Sequence, residues 1–206
     1  MSDQKTITII DYGMGNIGSV ANMIRKAGGK PIVSSSIDSI YCAEKILLPG
    51  VGSFDAGVNQ LREKKIFDPI VDVVVNNNIP LLGICLGMQL LFGTSEEGTL
   101  KGLDLIKGEA KKFISVDIRQ KIPHMAWNEV SLAKNNALTE GLDENRFYFV
   151  HSYYVNCFHE CDVLGRTHYI NDFVSMVQKD NIYGAQFHPE KSHQYGLRMF
   201  QNFLNI

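Results

Sequence analysis

Cys85 stands between two glycines in Gly83-Ile84-Cys85-Leu86-Gly87. The stretch before it, Pro80 to Ile84, is apolar and predicts a buried strand, while Leu86 to Phe92 predicts a helix. A cysteine at that junction, with glycine two places away on each side, has the spacing of a nucleophile elbow. In such a turn the middle residue takes a strained backbone conformation and the glycines leave room for it. Its side chain is presented at the carboxyl edge of the sheet, where open α/β sheets bind ligands. The start of the helix favours thiolate over thiol, and the Leu86 N–H is placed to meet a developing oxyanion. The plain alternative is a small buried cysteine between two convenient glycines.

A nucleophilic cysteine needs a base. Of the six histidines, His188 stands out, because it follows the strand-like Tyr183 to Phe187 and opens His188-Pro189-Glu190. In an extended chain residues two apart share a side, so Glu190 is predicted to lie beside His188 and orient its ring. Pro189 between them fixes φ and stiffens the pair. Cysteine, histidine and glutamate then stand in the order nucleophile, base, orienter.

Other candidates carry less. Cys157-Phe158-His159-Glu160-Cys161 offers three metal-type ligands, but a structural zinc site needs four, usually in paired clusters. A loop is predicted there, with no metal and no other cofactor. Cys42 reads as helix filler, and His151 as a hydrogen-bonded histidine of a β region. Gly13 and Gly15 suggest phosphate binding only weakly, since the third glycine falls at Gly18 and no acidic residue ends a second strand.

The elements that must position these residues follow from periodicity. Thr6 to Ile10, Pro31 to Val33, Ile46 to Leu48 and Pro80 to Ile84 predict strands. Ile17 to Ala27, Asp55 to Arg62, Phe67 to Asn76 and Leu86 to Phe92 predict helices, the first stopped by Gly28-Gly29. Strands alternating with helices imply an α/β fold with a mostly parallel central sheet flanked by helices. In the C-terminal half Arg146 to Val155 is aromatic and β-branched. Phe173 to Gln178 and Ile182 to Phe187 flank a turn at Lys179-Asp180-Asn181, which adds antiparallel strands. A helix over His193 to Leu204 closes the chain, and one domain over residues 1–206 is expected.

Composition excludes several classes. Against 20 Lys+Arg stand 22 Asp+Glu, a net charge of −2, too even to attract nucleic acid or an anionic membrane. With 45% hydrophobic and 20% charged residues the chain resembles a folded globule rather than a disordered one. No apolar run approaches the ~18 residues that span a bilayer. Met1-Ser2-Asp3-Gln4-Lys5 lacks the apolar stretch of a signal peptide, so a cytoplasmic protein with four free thiols is expected.

Leu82-Gly83-Ile84-Cys85-Leu86-Gly87-Met88-Gln89, taken with Gln186-Phe187-His188-Pro189-Glu190, resembles the class I, triad-type glutamine amidotransferases. Further blocks narrow the resemblance to the glutaminase subunits of imidazole glycerol phosphate synthases. They are Asp11-Tyr12-Gly13-Met14-Gly15-Asn16, Leu48-Pro49-Gly50-Val51-Gly52, Pro123-His124-Met125 with Trp127-Asn128, Tyr148-Phe149-Val150-His151-Ser152-Tyr153, and His188-Pro189-Glu190-Lys191-Ser192.

The resemblance implies that Cys85 attacks the side-chain amide of glutamine and that His188, oriented by Glu190, moves the protons. A glutamyl thioester forms and is hydrolysed to glutamate. Gly50, Gln89, Ser152 and Tyr153 match substrate-contacting positions. Gly52 matches the loop that completes an oxyanion hole with Leu86, and rotation of that loop is implied to switch the glutaminase on when a partner is loaded. That partner would be a (β/α)8-barrel synthase (cyclase) subunit, forming a heterodimer and receiving ammonia under cover to make imidazole glycerol phosphate and AICAR in histidine biosynthesis. At this length the chain is expected to carry no synthase of its own. Asn16, Trp127, Tyr148, Lys191 and Ser192 match interface positions.

One residue departs from the family pattern. Ala126 stands where glycine is usual, which leaves open a paralogue whose ammonia serves the amidino sugars of surface polysaccharides. A stand-alone cysteine hydrolase and a catalytically silent scaffold are further alternatives. The scaffold would ordinarily have lost Cys85, His188 or Glu190.

Overall fold

The computed structural model describes residues 4–115, 117, 119–142 and 145–206. Met1-Ser2-Asp3, from the N-terminal segment without signal-peptide character, lie outside them. Thr6–Ile10 forms β1, Ile17–Lys26 α1, Lys30–Ser34 β2, Ile37–Tyr41 α2 and Ile46–Leu48 β3. Phe54–Glu63 forms α3, Phe67–Asn76 α4, Leu81–Ile84 β4 and Leu86–Leu90 α5. These four strands pair in parallel: β2 with β1, β1 with β3, and β3 with β4. Ile46, Leu48 and Leu81 pack to one face, with Phe54, Val58 and Ile70 of α3 and α4. Ile7, Ile9, Leu47 and Leu82 pack to the other, with Val20 and Ile24 of α1. Strands covered on both faces need no polar alternation, which is why β3 and β4 are apolar throughout.

The second half contributes Thr94–Ser95 (β5), Gly108–Lys112 (β6), His124–Glu129 (β7), Ser131–Leu132 (β8), Arg146–His151 (β9) and Tyr153–Cys157 (β10). Val163–His168 (β11), Asp172–Lys179 (β12), Ile182–Ala185 (β13) and His193–Asn205 (α6) complete it. The main sheet runs β2-β1-β3-β4-β13-β12-β10-β6-β5, with β11 on β12 and β8 on β11. The join is β13, parallel to β4 on one side and antiparallel to β12 on the other. Its register sets Ala185 opposite Ile84. The residues that follow, Cys85 on one strand and Gln186 to His188 on the other, therefore leave the sheet side by side. Helix α6 packs Met199, Phe200 and Phe203 on the face shared with α1, each buried ring contributing about 2 kcal/mol relative to an exposed one.

The aromatic run from Arg146 to Val155 is two strands, broken at Ser152: β9 pairs with β7 in a separate two-stranded sheet, and β10 joins the main sheet. Two expectations need correction. Helix α5 ends at Leu90 rather than Phe92, because the returning chain caps it. Leu103 N–H takes the Leu90 carbonyl, and the N–H groups of Leu105 and Ile106 take that of Leu91. Cys42 fills no helix; it is exposed and follows α2, an element that periodicity did not predict. Among the described residues no helix is long and apolar enough to cross a membrane, and no three His, Cys, Asp or Glu side chains gather as metal ligands.

Candidate active site

Since β4 ends at Ile84 and α5 starts at Leu86, Cys85 alone makes the turn, at φ +54° and ψ −110°. A non-glycine residue held there costs on the order of 1–3 kcal/mol. Backbone bonds impose it: Cys85 N–H donates to the Ala185 carbonyl at 2.8 Å, and its own carbonyl accepts from Gln89 N–H at 3.2 Å. The flanking glycines are required by close approach. A β-carbon at Gly83 would stand 2.6 Å from the Gly87 carbonyl oxygen, and one at Gly87 would run into the Leu48 carbonyl. With α5 only five residues long, the helix field at the sulfur is that of a single turn. The thiol points at the Val150 carbonyl, 3.9 Å away, and its sulfur accepts from Gln186 Nε2 at 3.8 Å.

His188 Nδ1 lies 2.8 Å from Glu190 Oε1, and both side chains are buried. The adjacency predicted from strand alternation is real, but its cause differs. Pro189–Lys191 forms a 3₁₀ turn that carries Glu190 back beneath the ring. Proline suits the first position of that turn, where no N–H is needed. Ser192 Oγ accepts from Tyr148 N–H at 3.0 Å and donates to the His188 carbonyl at 2.7 Å, tying the turn to β9. His188 Nε2 and Glu190 Oε2 are buried without a hydrogen-bond partner among the described residues. Burial is the strongest single influence on the His188 ring and lowers its proton affinity. The nearby Cys85 sulfur and the hydrogen-bonded Glu190 carboxylate together outweigh it, raising the pKa to about 10.

Cys85 and His188 open on a pocket of about 280 Å³, walled also by Gly52, Leu86, Gln89, Glu97 and the turn from Val150 to Tyr153. That is near the lower bound of ~300 Å³ for small-ligand sites, suited to an amino acid rather than a nucleotide. Gln89 Nε2 donates to the Tyr153 carbonyl and to Gln186 Oε1, both at 3.1 Å. Both amide donors of Gln89 are thus engaged, and what it offers a ligand is its carbonyl oxygen. Glu97, anchored by accepting Phe54 N–H at 2.7 Å, adds a carboxylate to the same wall. Among the described residues no lysine or arginine lines the pocket, so its polar end suits an ammonium group.

The loop Pro49 to Gly52 approaches from the opposite side. Tyr12 Oη donates to the Pro49 carbonyl at 2.7 Å. The Gly50 carbonyl accepts Leu86 N–H at 3.4 Å, which occupies the expected oxyanion donor. Gly52, at φ +115°, needs the left-handed region that glycine enters freely.

Residues 8–206 match the family described as Glutamine amidotransferase class-I. The chain belongs to that family. Imidazole glycerol phosphate synthase subunit HisH 2 of Methanococcus maripaludis is 52% identical, over 96% of this chain and 98% of that relative. The subunit HisH of Leptospira borgpetersenii is 43% identical over 97% and 100%, and HisH 2 of Pseudomonas aeruginosa 44% over 97% and 99%. Among solved structures, a glutamine amidotransferase superposes with TM-score 0.76 at 16% identity, covering 97% of this chain and 99% of that one. PurLQS from Thermotoga maritima superposes with TM-score 0.73 at 19% identity over 98% of each. At such identities these two share the fold.

The structure of this amidotransferase sorts the remaining sequence candidates. Gly50 does not line the pocket. It lies behind it, where a β-carbon would meet the Tyr12 hydroxyl at 2.7 Å. Trp127 on β7 pairs in register with Tyr148 on β9. The indole stacks on His193, with centroids 5.4 Å apart and planes 3° from parallel, and Lys191 Nζ stands 5.7 Å over the Tyr148 ring. Asn16 is exposed and caps α1, accepting Ser19 N–H at 3.3 Å. Ser192 differs from these: at 0% exposure it reaches no surface, and its hydroxyl is a bridge inside the base turn. The sequence assigns no role to Glu97 or Gln186; His151 is the hydrogen-bonded β-region histidine expected, and its ring also lines the pocket. The usable signals were position alone: Glu97 soon after the nucleophile helix, and His151 directly before Ser152-Tyr153.

Proposed function

We propose that this amidotransferase is the glutaminase subunit of an imidazole glycerol phosphate synthase. It acts in the cytoplasm and passes ammonia to a (β/α)8-barrel cyclase subunit in histidine biosynthesis. The observation that carries the chemistry is the meeting of Cys85 with the buried His188–Glu190 pair on one amino-acid-sized pocket. The acceptor rests on the names of relatives 43–52% identical over nearly the whole chain.

Glutamine seats its α-ammonium against Gln89 Oε1 and Glu97, its backbone groups along Ser152 and Tyr153, and its carboxamide over Cys85. His188 Nε2 takes the Cys85 thiol proton as the sulfur attacks the amide carbon, and charge gathers on the amide oxygen. Leu86 N–H and an N–H of the 50–52 loop receive that charge, which requires the Gly50 carbonyl to turn away from Leu86. Loss of one such donor costs about 10²–10³ in kcat, so the loop as seen here describes a slow enzyme awaiting its partner. His188 gives its Nε2 proton to the departing nitrogen and ammonia leaves. It then takes a proton from the water that cleaves the thioester, giving glutamate and the free thiol.

Glutamate release by wild type and Cys85→Ala, each combined with a ligand-loaded cyclase subunit, tests this. Wild type is expected to release glutamate and the variant none above background. Equal release from the two would end the reading.

Ala126 favours a second reading of the acceptor. It is half-buried on β7 between Met125, 60% exposed, and Trp127, in the block that matches the partner interface. The same glutaminase then feeds a barrel partner of amidino-sugar synthesis, and the barrel protein that co-purifies with the chain decides between them.

A further inference from the structure

His124 and His151 form a hydrogen-bonded pair beneath the pocket wall, and their surroundings fix where each proton sits. Asn128 Nδ2 donates to the His168 carbonyl at 2.8 Å, while Asn128 Oδ1 accepts Glu129 N–H at 2.8 Å. The orientation of this amide is therefore set without reference to the histidines. Its remaining contact, Nδ2 to His124 Nε2 at 3.3 Å, makes Nε2 an acceptor. A neutral His124 must then carry its proton on Nδ1, which lies 3.1 Å from His151 Nε2. That nitrogen is in turn an acceptor, so His151 carries its proton on Nδ1 and donates to the Tyr153 carbonyl at 2.8 Å. Every ring nitrogen is satisfied in this one arrangement. Both rings are held neutral, since burial pulls the pKa of His124 down to about 4 and that of His151 to about 3.

The Tyr153 carbonyl also receives Gln89 Nε2 at 3.1 Å. Gln89 continues to Gln186 Oε1, and Gln186 Nε2 reaches the Cys85 sulfur. A continuous polar track thus runs from β7 to the nucleophile. We propose that His124 is a positioning residue of the glutamine pocket: by fixing the proton of His151 on Nδ1 it holds the Tyr153 carbonyl, and with it the Gln89 amide, in the glutamine-binding arrangement. The proposal rests on the reading of this pocket as a glutamine site. His124 itself does not line the pocket. It is sandwiched between Tyr169, centroid distance 4.0 Å, and Phe149, 4.9 Å.

Two substitutions separate the ring from its proton. His124→Phe keeps the stacking surface and removes the N–H. Without it, His151 is free to move its proton to Nε2 and release Tyr153. His124→Asn loses the ring but keeps an N–H near the position of Nδ1. Assayed in complex with the ligand-loaded cyclase subunit, His124→Phe is expected to raise KM for glutamine about tenfold, the effect of one hydrogen bond lost at a buried site. Its kcat should stay within about threefold of wild type, and His124→Asn should bring KM back to within about threefold. A merely structural role predicts the opposite order, with Phe the milder change.

Long-range ¹H–¹⁵N spectra of the wild-type chain provide a readout that no substitution can spoil. Both rings should appear as neutral Nδ1–H tautomers. An unchanged KM in a folded His124→Phe, a KM that follows the ring rather than the N–H, or an Nε2–H tautomer at His151 would each overturn the proposal. Wild type that releases no glutamate instead removes the glutaminase reading, and the tautomers alone then decide whether the relay exists.

Discussion

Cys85 holds a backbone conformation that L-residues avoid, φ +54°, whereas His188, across the pocket from it, sits at an ordinary φ of −102°. The nucleophile is kept in place by backbones that touch: Gly83 against Gly87, and Gly87 against Leu48. The base is kept in place by polar contacts from Glu190, Ser192 and Tyr148. The nucleophile side should therefore be sensitive to volume, and the base side to charge and hydrogen bonding.

Glu190→Gln tests the second half of that statement most strongly, because it keeps volume and removes charge. kcat for glutamine should fall about 10⁴-fold, the loss that follows when the carboxylate orienting a catalytic histidine is neutralised without loss of shape. Glu190 helps to raise His188, so the basic limb of the variant's pH–rate profile should move to lower pH. Stability carries the same signature. A folded pKa near 10 against an unfolded value of 6.5 stabilises the fold fully below pH 6.5, and this is lost as pH rises toward 10. Urea midpoints between pH 7 and 10 should fall less steeply in the variant than in wild type.

Gly87→Ala tests the volume half. One methyl group driven into the Leu48 carbonyl should cost about 3 kcal/mol, the upper range for overpacking, read as a lower urea midpoint. A variant as stable as wild type would mean that the elbow has slack. The two buried neutral histidines act with the opposite sign to His188. Their folded pKa values, about 4 and about 3, lie below the unfolded 6.5, so the unfolded chain takes up protons first. Stability should fall as pH drops from 6.5 to 4, and His124→Asn should flatten that slope. The smallest effect is expected from Ser192→Ala, which leaves Tyr148 N–H without its acceptor and should cost about 1 kcal/mol in thermal or urea unfolding.

Much of this was legible in the sequence because it depends on local pattern. The parallel strands and helices α1, α3 and α4 fall within a residue or so of the predicted bounds, since each buries one apolar face or run. The elbow was legible because G-x-C-x-G encodes its own geometry. What could not be read depends on distant chain. The break at Ser152 falls within a stretch of uniform composition, and only the separate partners of β9 and β10, namely β7 and β6, reveal it. The end of α5 is set by N–H groups more than a turn away in sequence, at Leu103 and Leu105. His124 and His151 look like unrelated residues until antiparallel pairing sets them opposite each other. Ser192 reads as a surface residue because Lys191 before it is one, yet the 3₁₀ turn rotates it inward.

The stack of Trp127 on His193 has a practical consequence. The chain contains one tryptophan, so its intrinsic fluorescence comes from a single address, on β7, at the face where the partner is proposed to sit. A partner docking there would strip water from the indole and disturb its imidazole neighbour, shifting emission without any attached label. Titration would then report affinity from unmodified protein, and rapid mixing would time the arrival of the partner separately from the onset of glutamate release.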